Sequence, residues 1–254
     1  MSVAHLAEAP PIETAVHRLA PECKVAALIA FVVPVALVPQ GSFAPYAVDA
    51  AVLLAIAVLA RVSPGFLAGR VAIEIPFILF VALLPFISGG ERIDVLGVAL
   101  SPHGLTVAAG IVCKATLAVL ATAVLASTTP MPEIVAGLQR LHVPRTLSAI
   151  AGFAVRYLQV VMEELRRLQV ARVARGDDAR WLWQARTVAR TAGVLAIRCF
   201  ERGERVHTAM LARGFTGTMP DVGLAPRAAA GAWVVAAMAV VPALAALLLL
   251  GGGA

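Results

Sequence analysis

Two segments in the second half of the chain end on the same three residues, Ala174-Arg175-Gly176 and Ala212-Arg213-Gly214. An arginine in the last turn of a helix is favourable to the helix dipole, and a following glycine lets the chain turn away, so one copy is typical of an ordinary helix end. Two copies indicate a pair of equivalent docking tips, because each guanidinium is a planar fork of donors that can grip a partner carboxylate. Such a pair suits a partner with two equivalent grooves, such as a two-fold dimer.

Three ionisable residues interrupt apolar stretches in the first half of the chain. Lys114 lies near the middle of one such stretch, and Glu74 and Asp49 are its candidate partners. An ionisable group at bilayer depth is costly unless it is paired, so it usually marks a functional or structural contact. We therefore expect Lys114 to take part in a polar contact between helices within the membrane.

Residues that would support catalysis or metal binding form no recognisable pattern in this sequence. The three cysteines and five histidines lack the spacing of metal ligands or of a disulfide framework. No set of acids, and no nucleophile with a base, is spaced for catalysis, and the phosphate-binding pattern Gly-x-x-x-x-Gly-Lys-Ser/Thr is absent from the sequence. The sequence predicts no catalytic residue, no metal site and no cofactor bound by this chain.

The composition indicates the elements that must position these residues. Of 254 residues, 60% are hydrophobic and only 14% are charged, with a mean hydropathy of +0.88. Soluble domains usually carry about 25% charged residues, so this excess of apolar side chains is too large for one aqueous core. Disorder, a fibrous repeat and an ordinary cytosolic enzyme are excluded, and an all-α polytopic membrane protein is predicted.

Five apolar runs predict about five transmembrane spans, of which the first two are short and contain prolines. These runs are Val25–Val38, Pro45–Ala60, Val71–Ile87, Leu105–Ala126 and Ala228–Leu250. The predicted segments are a cytoplasmic N-terminal segment (1–24), about four transmembrane helices (25–126), a cytoplasmic helical block (127–227) and a final transmembrane helix (228–250). Irregular backbone between short spans is tolerated only where protein groups or a cavity satisfy it.

Charge is concentrated in the cytoplasmic block. Between residues 140 and 227 there are 15 Lys and Arg against 7 Asp and Glu, a net of +8, whereas the rest carries 6 against 8, a net of −2. Basic residues accumulate in cytoplasmic loops. The rule places the N-terminus and this block in the cytoplasm, together with Arg18, Lys24, Arg61 and Arg70.

Two long amphipathic helices, preceded by a short one beginning near Pro132, are predicted inside the block. Apolar residues recur at steps of three and four from Pro144 to Arg175, and again from Leu182 to Met210. Glycine ends each helix, Gly176 in the first and Gly214 in the second. The Ala-Arg-Gly sequences therefore lie at the ends of both long helices.

These features resemble the transmembrane (T) component of energy-coupling factor (ECF) transporters, the ABC-type importers of vitamins and transition metals. The resemblance covers residues 15–250 and rests on the two Ala-Arg-Gly tips, on the Ser127-Thr128-Thr129-Pro130 connector and on the layout of spans and block. The cobalt-type, CbiQ-like subgroup is indicated by two stretches, His17–Pro21 and Phe200–Phe215.

The resemblance implies a non-catalytic subunit of the cell membrane with several partners. Two cytoplasmic ABC ATPase subunits, which bind ATP and Mg, would receive the tips, and a separate membrane subunit would capture the substrate. The residues that carry over as ATPase-docking are Arg175 and Arg213, with Ala174, Gly176, Ala212 and Gly214 shaping the tips. Movement of the ATPases would pass through the helices to the capture subunit, and the subgroup implies that the cargo is the cobalt ion.

Two alternatives remain open at the level of sequence. The cargo can instead be nickel or a vitamin such as biotin, because specificity lies in another subunit of such assemblies. A protein of a different class, a membrane scaffold that binds anionic lipid through the basic block, has the same charge distribution. Binding of nucleic acid is not predicted, since the block lacks interleaved aromatic residues for base stacking.

Overall fold

A computed structural model describes residues 14–39, 41–88, 93–95, 98–141, 143–176, 185–216 and 230–250. The helices are α1 (Pro21–Leu37), α2 (Ala44–Leu59), α3 (Pro64–Ala72), α4 (Ile75–Val81), α5 (Leu84–Ile87), α6 (Pro102–Thr128), α7 (Met131–Arg140), α8 (Arg145–Ala174), α9 (Ala185–Ala212) and α10 (Ala230–Leu250). The predicted helical class is confirmed for the described chain, apart from one short pair of strands.

The pair of strands lies in the connector before α6, where the sequence analysis expected no strand. β1 (Ile93–Val95) runs antiparallel to β2 (Val98–Leu100), with Ile93 opposite Leu100. Branched residues on both sides of Leu96-Gly97 give a local hairpin signal that the apolar-run analysis did not consider. The two strands are confined to this connector and leave the all-α class of the described chain unchanged.

The chain divides into two compact units inside α7. The bundle unit holds the described residues within Glu8–Gly137 and Ala225–Ala254, and the arm unit holds those within Leu138–Leu224. The division falls between Gly137 and Leu138, within α7, whereas the sequence analysis began the cytoplasmic block at Ser127.

Helix α6 is the centre of the bundle unit. Helices α1, α2, α3, α4 and α5 contact it, and α10 packs against α1 and α2. The 27 residues of α6 extend about 40 Å. An apolar cluster fills the space around it: Phe31, Val35, Val38, Tyr46, Leu53, Ala57, Leu117, Ala121 and Val124.

Both ends of α6 are defined by local polar contacts. At its start the Ser101 hydroxyl accepts a hydrogen bond from the Gly104 amide at 3.4 Å, and a proline occupies the first helical position. A Cβ at Gly104 would lie 2.8 Å from the Pro85 Cα, so α5 approaches α6 on bare backbone there. At its end the Thr128 hydroxyl donates to the Val124 carbonyl at 2.9 Å.

Helices α1 and α2 form a hairpin that extends along about half of α6. The start of α1 lies beside the end of α6, where Lys24 contacts Thr128, whereas the end of α1 lies beside the middle of α6, where Lys114 contacts Val38. With 17 and 16 residues, α1 and α2 are each about 25 Å long. The expectation that the first two runs are short is confirmed, and the connection between them lies beside the midpoint of α6.

The third predicted span is a bent series of helices. Its predicted start at Val71 falls inside α3, which begins at Pro64 after the Ser63 hydroxyl accepts from the Phe66 amide at 3.2 Å. Helix α3 is bent by 49° relative to the Ile75–Ile87 segment. The break lies at Ile73 and Glu74.

Among the described residues, α6 is the helix that is long and apolar enough to cross a bilayer alone. The bent pair formed by α3 and the Ile75–Ile87 segment is long and apolar enough when the two parts are taken together. Helix α10 adds 21 residues without a charged side chain. Each predicted span coincides with helical structure, and the number of spans stays a prediction.

Candidate functional site

The first Ala-Arg-Gly sequence lies at the end of α8, where the sequence analysis placed it. Ala174 is the last helical residue, Arg175 is the C-cap, and Gly176 adopts a φ of +78°. The amides of Arg175 and Gly176 donate to carbonyls of the last turn at 3.0 and 2.9 Å. The glycine is required by its left-handed backbone, which a residue with a Cβ adopts only with strain.

The second sequence ends α9 with the same local geometry. Gly214 has a φ of +82°, its amide donates to the Leu211 carbonyl at 3.0 Å, and the Phe215 amide donates to the Met210 carbonyl at 3.0 Å. These two bonds are the pair that defines a Schellman motif. The motif fixes the direction in which the chain leaves the helix and therefore the position of Arg213.

Both arginines present their guanidinium groups to solvent. Arg175 and Arg213 are exposed, and neither forms an ion pair within the part of the chain that the structure describes. A Cβ placed on Gly176 or Gly214 would meet no described atom within 4 Å. Within the described residues, nothing packs against the two glycines, and each tip presents an exposed cationic side chain.

Helices α8 and α9 are joined by an apolar groove and an ion pair. Arg198 of α9 pairs with Glu164 of α8. A groove of about 340 Å³ lies between the helices and ends at Phe215, next to the second tip. The groove is lined by residues from the apolar face predicted for each helix: Val161 of α8, and Cys199, Gly203, Val206 and Met210 of α9.

Lys114 has partners other than the acids proposed from the sequence. Its ammonium donates to the backbone carbonyls of Ala36 and Val38, both at 2.9 Å. These carbonyls lie at the C-terminal end of α1, where no backbone amide of the helix is in position to donate to them. The lysine therefore satisfies the irregular backbone between α1 and α2, beside the middle of α6.

The two acids proposed as partners of Lys114 have different surroundings. Glu74 lies at the break between α3 and α4, and its Oε2 accepts from the Thr116 hydroxyl of α6 at 3.0 Å. Asp49 of α2 is 1% exposed, and neither of its carboxylate oxygens has a hydrogen-bond partner among the described residues. The structure thus brings Glu74 and Lys114 to the same helix bundle but pairs each with other groups.

The sequence analysis missed one polar contact of the bundle. Lys24, which it used only to orient the spans, donates to the carbonyl of His17 at 2.9 Å and to that of Thr128 at 3.1 Å. A lysine at the start of an apolar run carries no signal for an acceptor 104 residues away. Among the described residues, no three His, Cys, Asp or Glu side chains are grouped as metal ligands.

Comparison with known proteins identifies the family. The family described as "Cobalt transport protein" (CbiQ) matches residues 13–222. The cobalt transport protein CbiQ of Rhodobacter capsulatus is 32% identical over 188 residues, which cover 70% of this chain and 74% of that protein.

Two energy-coupling factor transporter transmembrane proteins (EcfT) are also similar. That of Listeria innocua is 27% identical over 79% of this chain and 80% of its own length, and that of Bacillus selenitireducens is 28% identical over 82% of each. A family match over most of the chain, together with the two tips and the apolar bundle, confirms the resemblance drawn from the sequence. The chain belongs to the CbiQ family, the cobalt-type transmembrane (T) components of energy-coupling factor transporters.

Proposed function

We propose that this chain couples ATP-driven movement of two cytoplasmic ABC ATPase subunits to a membrane substrate-capture subunit, for the uptake of cobalt ions. The observation that carries the proposal is the repetition of one exposed tip. Two long helices end in the same Ala-Arg-Gly sequence, with the same left-handed glycine and an exposed arginine in the same position. A motor of two equivalent ATPase subunits offers two equivalent grooves to such a pair.

The coupling is mechanical on this proposal. ATP and Mg are bound by the ATPases, and this chain contributes no reacting group. Arg175 and Arg213 each hold one ATPase subunit, while Ala174, Gly176, Ala212 and Gly214 keep the tips narrow. When the two subunits approach or separate, α8 and α9 are displaced, and the bundle reorients the capture subunit beside it.

The cytoplasmic location of the tips is also part of the proposal. The contact of Lys24 with Thr128 supports a common side for the start of the first span and the end of the fourth. The excess of arginine in the arm unit favours the cytoplasm as that side. Thr208 is exposed on α9 and serves as a labelling site. In a variant whose native cysteines are serine, Thr208→Cys is expected to react with a membrane-impermeant maleimide only from the cytoplasmic side; labelling from outside intact cells would overturn the orientation.

The docking assignment is tested with Arg175→Ala, Arg213→Ala and the double variant. The matched control is Arg190→Ala, which removes another exposed arginine of α9 away from its end. Membrane insertion should be normal in all four. The double variant should lose both co-purification of the ATPases and ATP-driven uptake of cobalt, whereas the control retains them. Normal uptake by the double variant would refute the assignment.

Cobalt as cargo is supported by the names of the family and of the Rhodobacter capsulatus relative, both cobalt transport proteins. The test is uptake of radioactive Co²⁺ by cells that express the whole transporter. Excess unlabelled Co²⁺ should compete most strongly, ahead of Ni²⁺, and biotin should not compete. Stronger competition by Ni²⁺ or by the vitamin would reassign the cargo without changing the docking role.

A further inference from the structure

We propose that Lys24 and Gly137 are positioning residues for transport: Lys24 holds the start of α1 to the end of α6, and Gly137 seats α7 against α1, so that arm movement reaches the bundle. The inference rests on the proposed function, since it assumes that the arms are displaced by ATPases. The α7 joint, as we call this region, consists of His17, Lys24, Thr128 and Gly137, with the backbone of Pro21 and Glu22.

Lys24 ties two separate segments together through its ammonium group. The side chain is 8% exposed, and its Nζ donates to the His17 carbonyl in the N-terminal turn and to the Thr128 carbonyl at the end of α6. The last carbonyls of a helix lack partners within the helix and carry its partial negative charge. A buried lysine is therefore suited to hold this end of α6.

The neighbouring residues make the attachment rigid. Cys23 is fully buried, and Glu22, Thr128 and Thr129 are buried as well. Lys24 precedes the predicted first span; burial lowers the pKa of its ammonium, and the Glu133 carboxylate of α7 opposes that change. By its hydrogen bonds, Lys24 therefore connects the N-terminal turn, α1 and the end of α6.

Close contact of backbone with backbone completes the joint. A Cβ on Gly137 would lie 3.0 Å from the carbonyl carbon of Pro21 and 3.1 Å from the Glu22 amide nitrogen. Neither neighbour is a flexible side chain that could move aside. Only glycine allows α7 to lie this close to the start of α1, and Val135 and Ala136 are buried beside it.

The place of the joint along the chain gives it a role in transmission. Gly137 is the last residue of the bundle unit in this part of the chain, and Leu138 is the first residue of the arm unit. A displacement of α8 that travels along the chain must pass through α7. If α7 is held to α1 at Gly137, and α1 to α6 at Lys24, the displacement moves α1 and α6; if either attachment is loosened, the displacement is lost.

The experiment uses the whole transporter and measures both uptake and ATP hydrolysis. Lys24→Met and Gly137→Ala should retain the ATPases and their hydrolysis, while uptake per ATP falls by about tenfold, a change typical of a lost coupling energy. Lys24→Arg should restore most of the uptake, since arginine can still donate to both carbonyls. In the two defective variants, amide exchange over residues 131–137 should become faster.

The matched control is Gly104→Ala, which introduces an even closer contact at the opposite end of α6, 2.8 Å from Pro85. It should lower the stability of the bundle but leave uptake per ATP unchanged in the complexes that assemble. Unchanged uptake per ATP in both joint variants, or an equal fall in Gly104→Ala, would overturn the inference. A wild-type chain that fails to bind ATPases would instead overturn the proposed function.

Discussion

The arm unit and the bundle unit use their charged residues in opposite ways. In the arm unit, α9 has no buried residue and both tip arginines are exposed. In the bundle unit, Glu22, Lys24, Asp49 and Glu74 are buried. Each arm tip is shaped by hydrogen bonds within one helical turn, whereas Lys24 and Lys114 each reach at least one carbonyl 76 or more residues away. The tip arginines therefore face solvent, and the two lysines connect distant segments of the bundle.

Replacement of Lys114 is expected to have the largest effect on stability. Lys114→Met keeps the length of the side chain but leaves the carbonyls of Ala36 and Val38 without a donor. Hydrogen bonds from a charged donor contribute about 1.5–3 kcal/mol each, and the bond to Ala36 should contribute less than that because it is exposed. We therefore expect a loss of about 2–4 kcal/mol in the free energy of unfolding. The measurement is unfolding in detergent followed by circular dichroism.

The control for Lys114 is a hydrogen bond that stays within one helix. Thr122 is exposed on α6, and its hydroxyl donates to the Ala118 carbonyl of the same helix at 2.8 Å. Thr122→Val therefore removes a hydrogen bond without affecting a contact between two helices. It should change the free energy of unfolding by less than about 0.5 kcal/mol. Equal losses in the two variants would mean that bonds between distant segments do not dominate the bundle.

Replacement of Asp49 is expected to act in the opposite direction. Its carboxylate is 1% exposed and unpartnered among the described residues, so it costs desolvation without a compensating bond. Asp49→Leu should therefore raise the free energy of unfolding by about 1–3 kcal/mol. Asp49→Asn, which keeps a polar group in the same place, should gain less. A lower unfolding midpoint for Asp49→Leu would contradict this account.

The difference between the units also explains what could be predicted from sequence. The ends of α8 and α9, the five apolar segments and the family follow from local signals: a glycine after a last turn, apolar runs, and a motif present twice. The acceptors of Lys24 and Lys114 do not follow, because a lysine gives no indication of which distant carbonyl it will meet. The same reason explains the incorrect pairing of Lys114 with Glu74 and Asp49.

The break in the third span was missed for a local reason. The sequence from Val71 to Ile87 is almost continuously apolar, so hydropathy alone predicts one helix. Glu74 lies at the break and binds Thr116 of α6. Pro76 and Pro85, each in the first turn of a new helix, mark the restarts. The prolines were a usable signal, whereas the pairing of Glu74 was not.

The tips provide a test of locally determined geometry. Gly176→Ala and Gly214→Ala should each cost about 1 kcal/mol, because both positions have positive φ values. Faster amide exchange in the last turn of the affected helix is the measurement. Gly193→Ala is the control, since Gly193 lies inside α9 with open space around it and alanine is the better helix former by about 1 kcal/mol. Slower last-turn exchange in the tip variants would contradict the assignment.

The smallest expected effect concerns the end of α2, which tests whether a helix of the bundle ends in the same hydrogen-bond motif as α9 of the arm. Arg61 has a φ of +52°, its amide donates to the Val58 carbonyl at 2.9 Å, and the next amide donates to the Ala57 carbonyl at 3.0 Å. This is the Schellman pattern of the α9 tip, with arginine in the position of the glycine. Arg61→Gly should therefore raise the free energy of unfolding by about 0.5 kcal/mol, because relief of the left-handed strain exceeds the added freedom of the unfolded chain. Arg70→Gly is the control: Arg70 lies inside α3 and stacks on Phe66, so this variant should have a lower free energy of unfolding. If both variants have a lower free energy of unfolding, the end of α2 is held by packing and not by its own turn.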